Sequence, residues 1–196
     1  MTDQTRGMEN LIASTNKTVF TTSDFNKAWR YTNYRSLIKR INYLKKSGKI
    51  DQIQRGLYSI HNRSINEFEL ANKLRTPSYI SFETVLHRDG IIFQWDKRIT
   101  LASKESSQFK IDGQNILFRQ VKDSILLNKT AINGQDNYYI ATKERALLDM
   151  LYINSVFQFD NLRSIDFEII ENLIPIYEKK NLFKVVERLK EYAKSY

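Results

Sequence analysis

The sequence predicts an α+β chain in two parts, and three observations carry that prediction. Residues Thr21 to Ile60 give, in order, a short capped helical pattern, a turn, a longer basic amphipathic pattern, a glycine stop and two β-like runs around Arg55-Gly56. Positive charge is concentrated in the same part of the chain: residues 1–65 hold 12 Lys and Arg against 4 Asp and Glu, whereas residues 66–196 hold 19 against 18. Beyond residue 65, short β-like runs separated by turn signals alternate with helical spacing. Residues 1–65 therefore read as a helix-turn-helix with a β wing, and residues 66–196 as a mixed α/β domain ending in helices.

The bulk properties narrow the function classes. A net charge of +9 placed almost wholly in one third of 196 residues implies an anionic partner, nucleic acid before a membrane surface. The absence of cysteine excludes disulfides, thiolate metal sites and cysteine nucleophiles. No run approaches the ~20 apolar residues that span a bilayer. The first ten residues, MTDQTRGMEN, lack the apolar core of a secretory signal, so a cytoplasmic protein is expected.

Glu9 to Ser14 read as the end of a first helix. In the next helix Thr22 or Ser23 can cap, Asp24 occupies the first turn, and Phe25, Ala28 and Trp29 form the inward stripe. Thr32 or Asn33 then caps a helix running to about Ser47, where Gly48 stops it. Leu37, Ile41 and Leu44 recur at helical spacing and must face a core, with Ile38 beside them. At about 100° per residue, Arg35, Lys39, Asn42, Tyr43 and Lys46 point the opposite way, with Ser36 and Arg40 at the border. Cations, an amide, a phenol and a hydroxyl are the groups that contact phosphates and base edges. No acidic residue lies between Tyr31 and Ile50, whereas a merely solvated helix usually mixes Glu with its Lys. Lys49–Ile53 and Leu57–Ile60 read as wing strands, with Gly56 free to take a positive φ and Arg55 at the tip. The candidate contacts to double-stranded DNA are thus Thr32, Asn33, Tyr34, Arg35, Ser36, Lys39, Arg40, Asn42, Tyr43, Lys46, Lys49 and Arg55.

Three segments then carry a resemblance. The basic helix is followed by Lys45-Lys46-Ser47-Gly48-Lys49-Ile50 and Gln54-Arg55-Gly56-Leu57-Tyr58-Ser59-Ile60. Tyr79-Ile80-Ser81-Phe82-Glu83-Thr84-Val85-Leu86 precedes Gly90, and Tyr139-Ile140-Ala141-Thr142-Lys143-Glu144-Arg145-Ala146-Leu147-Leu148-Asp149 comes later. In this order and spacing, from about residue 10 to 155, the chain resembles the AbiEi-type antitoxins of type IV toxin–antitoxin (abortive infection) systems. The resemblance implies a winged-helix domain joined to a C-terminal antitoxin domain. It implies repression of the protein's own operon through inverted repeats near the promoter. It also implies neutralisation of a nucleotidyltransferase toxin without a stable complex, as part of phage defence. Inverted repeats imply two copies on DNA, and the chain has no heptad seam, so a monomer in solution is expected. A regulator with the same DNA-binding domain but no toxin partner is the alternative, and an enzyme delivered to nucleic acid by that domain is a third reading.

In the second part, Ser64 to Leu74 reads as a helix joining the two domains, capped by Ser64 or Asn66 with Phe68, Ala71 and Leu74 inward. Tyr79–Ser81, Arg98–Ala102, Phe109–Ile111, Ile116–Val121 and Tyr138–Ala141 read as strands, with Asp112-Gly113 as a hairpin turn. Phe82–Arg88 reads as a helix closed by Gly90; Thr142 caps another whose stripe is Ala146, Leu147, Met150 and Leu151. Ile165–Ala193 is helical in pattern, broken at Pro175. No catalytic site emerges, and neither a metal nor another cofactor is expected. His61 and His87 have no histidine partner at metal-ligand spacing, so His61 reads as surface or DNA-adjacent and His87 as a capping or packing residue. No phosphate-binding glycine loop or nucleophile elbow occurs. Glu144 and Asp149 do not share a helix face, and Lys143-Glu144-Arg145 reads as a solvated first turn with local ion pairs.

Overall fold

Strand β1 (Val19–Thr21) runs directly into helix α1 (Thr22–Trp29), and Thr21 serves both as the last strand residue and as the helix cap. The structure is a computed structural model that describes residues 16–135 and 137–194. The segment expected to end a first helix, Glu9 to Ser14, lies outside the described residues. The Asp24 N–H donates to Thr21 Oγ1 at 3.1 Å, and the Thr21 N–H donates to Asp24 Oδ2 at 2.8 Å, a reciprocal capping box. The cap is therefore Thr21 rather than Thr22 or Ser23, because only Thr21 stands three residues before the acid. Phe25 is buried and Trp29 packs at the core edge, while Ala28 faces solvent.

Helix α2 (Tyr34–Lys46) starts at Asn33, whose side chain accepts from the Arg35 N–H at 2.9 Å. Gly48, at φ 65°, ends it in a backbone conformation that side chains resist. Strands β2 (Ile50–Gln54) and β3 (Leu57–Ile60) form a hairpin with Gly56 at φ 82°, and β1 pairs antiparallel with β3, giving sheet order β1-β3-β2. Phe20, Phe25, Leu37, Ile41, Leu44, Ile50 and Tyr58 make the core of this part. Helix α3 (Glu67–Leu74) is capped by Asn66, which accepts from the Phe68 and Glu69 N–H groups at 2.9 and 3.1 Å. Its buried residues are Glu69, Leu70, Ala71 and Asn72 rather than the expected Phe68 and Leu74. The reason is chemical: Glu69 Oε2 accepts from both the Thr18 N–H and hydroxyl, at 2.8 and 2.7 Å, and rotates that face inward. The chain divides between Leu74 and Arg75, so α3 belongs to the first unit, where the sequence placed the boundary after Ile65.

The second unit is built on a six-stranded mixed sheet. Its elements are β4 (Ser78–Ile80), α4 (Glu83–Arg88), β5 (Ile99–Ser103), β6 (Ser107–Ile111), β7 (Gln114–Gln120), α5 (Asp123–Leu126), β8 (Ile132–Gln135), β9 (Tyr138–Ala141), α6 (Lys143–Ile153), α7 (Phe167–Leu173), a 3-10 turn (Ile174–Tyr177) and α8 (Leu182–Lys194). The strand order is β6-β7-β5-β4-β9-β8, with β4–β9 and β5–β7 parallel and the other pairs antiparallel. Asp112 and Gly113 both take positive φ at the β6–β7 turn, as a two-residue hairpin of that type requires. Pro175 lies in the first turn of the 3-10 segment, and a left-handed Glu178 completes the break before α8. The sequence pattern predicts neither strand β8 nor helix α5; β8 is a polar edge strand held by register with β9 from Ile132–Ala141 to Gln135–Tyr138.

Helix α6 corrects the expected solvated turn. Thr142 caps it through the Arg145 N–H, but Glu144 and Arg145 are buried along with the apolar stripe. Arg145 and Asp149 are fully buried, with Arg145 Nε 3.5 Å from Asp149 Oδ1. The guanidinium donates to the Ile125 and Thr130 carbonyls at 2.7 and 3.3 Å and lies over the Tyr79 and Tyr177 rings. Asp149 accepts hydroxyls from Ser81, Tyr177 and Tyr79 at 2.6, 2.7 and 3.2 Å. Burial, reinforced by the Asp149 charge, holds both tyrosine hydroxyls well above their ordinary pKa, so they remain proton donors.

Candidate nucleic-acid interface

Helix α2 turns one side wholly inward and the other wholly outward. Leu37, Ile41 and Leu44 are buried, whereas Arg35, Lys39, Asn42, Tyr43 and Lys46 are all exposed. Ser36 and Arg40 are half-buried at the border. A period of 3.6 residues and three apolar anchors are enough to produce this division. Ahead of the helix, Thr32 and Asn33 are exposed, and Tyr34 is 68% exposed at its first turn. The Asn33 side chain is committed to the cap. Lys49 and Arg55 are exposed, one just before β2 and the other in the β2–β3 turn.

The hairpin is fixed to both helices. The Thr22 N–H donates to the Gly56 carbonyl at 3.1 Å, and Lys45 Nζ donates to Gln52 Oε1. The β2–β3 turn therefore cannot swing away from α1 without breaking a backbone bond, and Arg55 is carried by an anchored loop.

Three of the four acidic residues from 16 to 74 are engaged by neighbouring groups. Lys17 bonds Asp24 at 2.6 Å, Asp51 shares a hydrogen bond with His61 Nδ1 at 2.9 Å, and Glu69 is buried against Thr18. Burial opposes the Asp24 charge, but bonds from Lys17 and Thr21 outweigh it and hold the carboxyl below its usual range. The outward face of α2 thus carries Arg35, Lys39 and Lys46 without a carboxylate on the same helix to neutralise them.

Arg40 differs from the other candidates. Its guanidinium lies 4.2 Å from the Trp29 ring centroid and 6.0 Å from that of Tyr31, and its Nη1 donates to the Tyr31 hydroxyl at 3.5 Å. Facing angles alone place Arg40 at the border; they carry no sign of the two rings that hold it. The Trp29-Arg30-Tyr31 run, aromatic residues flanking the turn ahead of a basic helix, is the sequence signal for such a stack.

Elsewhere, His87 packs against Trp95 at 5.0 Å between ring centroids, and Glu83 pairs with Arg119. Among the described residues no three His, Asp or Glu side chains gather as a metal site, and no helix is long and apolar enough to cross a membrane. Asp149 lies where no solute reaches it. The chain matches no protein-family model and no curated protein.

Proposed function

We propose that the first unit is a winged helix-turn-helix that binds double-stranded DNA, with α2 as the recognition helix and the β2–β3 hairpin as the wing. The observation that carries this reading is the exposed, acid-free face of α2, opposite three buried anchors and beside an anchored turn bearing Arg55. Arg35 and Asn42 suit base edges, and Lys39, Lys46, Lys49 and Arg55 suit phosphates. The protein acts in the cytoplasm as a repressor of its own operon, two copies meeting on inverted repeats near the promoter. The resemblance of the three segments supports a further role as a type IV antitoxin against a nucleotidyltransferase toxin, within abortive phage-infection defence. The second unit is then the antitoxin domain rather than an enzyme.

The test has two arms. Binding to duplex DNA from immediately upstream of the protein's own reading frame is measured against a scrambled duplex over a range of salt. Preference for the upstream duplex, with affinity falling steeply as salt rises, is expected; equal affinity for both would end the repressor reading. In the second arm a nucleotidyltransferase encoded by a reading frame next to this one is expressed with the full chain or with residues 1–74. Rescue by the full chain alone is expected. No rescue by either leaves a DNA-binding regulator without a toxin partner, and rescue by residues 1–74 moves the antitoxin role to the other unit.

A further inference from the structure

Building on the DNA-binding reading, we infer that Arg40 is a positioning residue that locks the recognition helix at its angle to α1, rather than a phosphate contact. Arg40 belongs to α2, Trp29 is the last residue of α1, and Tyr31 lies in the turn joining them. One guanidinium thus bridges all three parts of the helix-turn-helix: 4.2 Å over the Trp29 ring, 6.0 Å from the Tyr31 ring centroid and in hydrogen-bond reach of its hydroxyl. Trp29 in turn stacks on buried Phe25 at 4.9 Å and meets Tyr31 edge-on at 6.3 Å, so the platform under Arg40 is continuous with the core. A planar cation stacked on one ring and bonded to a second group fixes an orientation; an ammonium on a flexible stem keeps the charge but loses the plane.

The consequence concerns discrimination more than affinity. Non-specific binding depends on the number of cations near phosphate and reads no base edge. Base readout needs side chains placed to hydrogen-bond accuracy, so a loosened α2 loses its preferred sequence first.

Arg40→Lys separates the two, because it preserves charge. Affinities for the upstream duplex and for a scrambled duplex are measured over a range of salt for wild type, Arg40→Lys and Lys39→Ala. Arg40→Lys is expected to lower the preference for the upstream duplex roughly tenfold, the cost of about one good base contact. Its affinity for scrambled DNA and its salt slope stay at the wild-type value. Lys39→Ala is expected to weaken both duplexes and to reduce the salt slope by about one. A double-mutant cycle of Arg40→Lys with Trp29→Phe, read on the same preference, should show strong coupling. Wild-type preference in Arg40→Lys, or independent effects of the two substitutions, overturns the positioning role while leaving the DNA-binding reading in place. Equal binding of both duplexes by wild type overturns the repressor reading and the positioning role with it, and binding of neither overturns the DNA-binding reading itself.

Discussion

Helices α2 and α6 each carry charged residues four apart, and the two helices use them in opposite ways. In α2, Arg35 and Lys39 are exposed and no acid shares the helix. In α6, Arg145 and Asp149 are buried to 0%, and each is enclosed by groups that arrive from other elements. The difference teaches that the partner supply decides where a charge goes. Arg145 can be buried because two carbonyls, two ring faces and Asp149 replace its water. Arg35 and Lys39 meet no such set in the fold and stay in solvent, available to an external anion.

The largest expected effect lies on the α6 side. Asp149→Ala leaves the Arg145 guanidinium buried without its counter-charge and strips three hydroxyls of their acceptor, at a cost of about 3–5 kcal/mol. Replacing the pair together, Arg145→Met with Asp149→Leu, is expected to cost less than Asp149→Ala alone, since no unpaired charge remains. Denaturant unfolding of the three proteins checks this. A double variant weaker than the single would mean that the pair itself, rather than its satisfaction, holds the unit together.

On the α2 side the same kind of substitution should leave folding alone and act on binding. Arg35→Ala, Lys39→Ala and Lys46→Ala are each expected to change stability by less than about 0.5 kcal/mol, as exposed positions do. Lys39→Ala and Lys46→Ala should each reduce the salt slope of DNA binding by about one phosphate, and Arg35→Ala should lower the preference for the upstream duplex. Three variants with unchanged affinity and slope would remove the recognition face and leave α2 a solvated helix.

The comparison also explains what the sequence could reveal. The α2 face was legible because exposure there follows from local periodicity: Leu37, Ile41 and Leu44 fix the inward side, and geometry supplies the rest. The hairpin around Gly56 and the β6–β7 turn at Asp112-Gly113 were legible for the same local reason. The environment of Arg145 was not, because its partners stand at Tyr79, Ile125, Thr130 and Tyr177, and no local pattern announces that they converge. Arg40 failed in the same way over a shorter range, since helical angles locate a side chain and say nothing of the rings beside it. The inward turn of Glu69 in α3 also depended on a distant residue, Thr18.

Asp24 stands between the two extremes and tests whether partner supply works by degrees. It is half-buried, bonded to Lys17 and to the Thr21 backbone and hydroxyl, and those bonds outweigh burial to hold its carboxyl below the usual range. A carboxyl depressed on folding stabilises the fold above its unfolded pKa, near ~3.9, and loses that contribution as pH falls through the lower folded value. Unfolding of the first unit should therefore become easier in the acid range below that value. In Asp24→Asn this part of the pH dependence should disappear, because the amide does not titrate. Thr21→Ala removes the other half of the box and is expected to cost about 1 kcal/mol. The acid dependence should shrink but persist, since the Lys17 bond remains. If Asp24→Asn kept the full wild-type acid profile, the capping box would be geometry without electrostatic consequence, and Asp24 would belong with the solvent-exposed charges of α2.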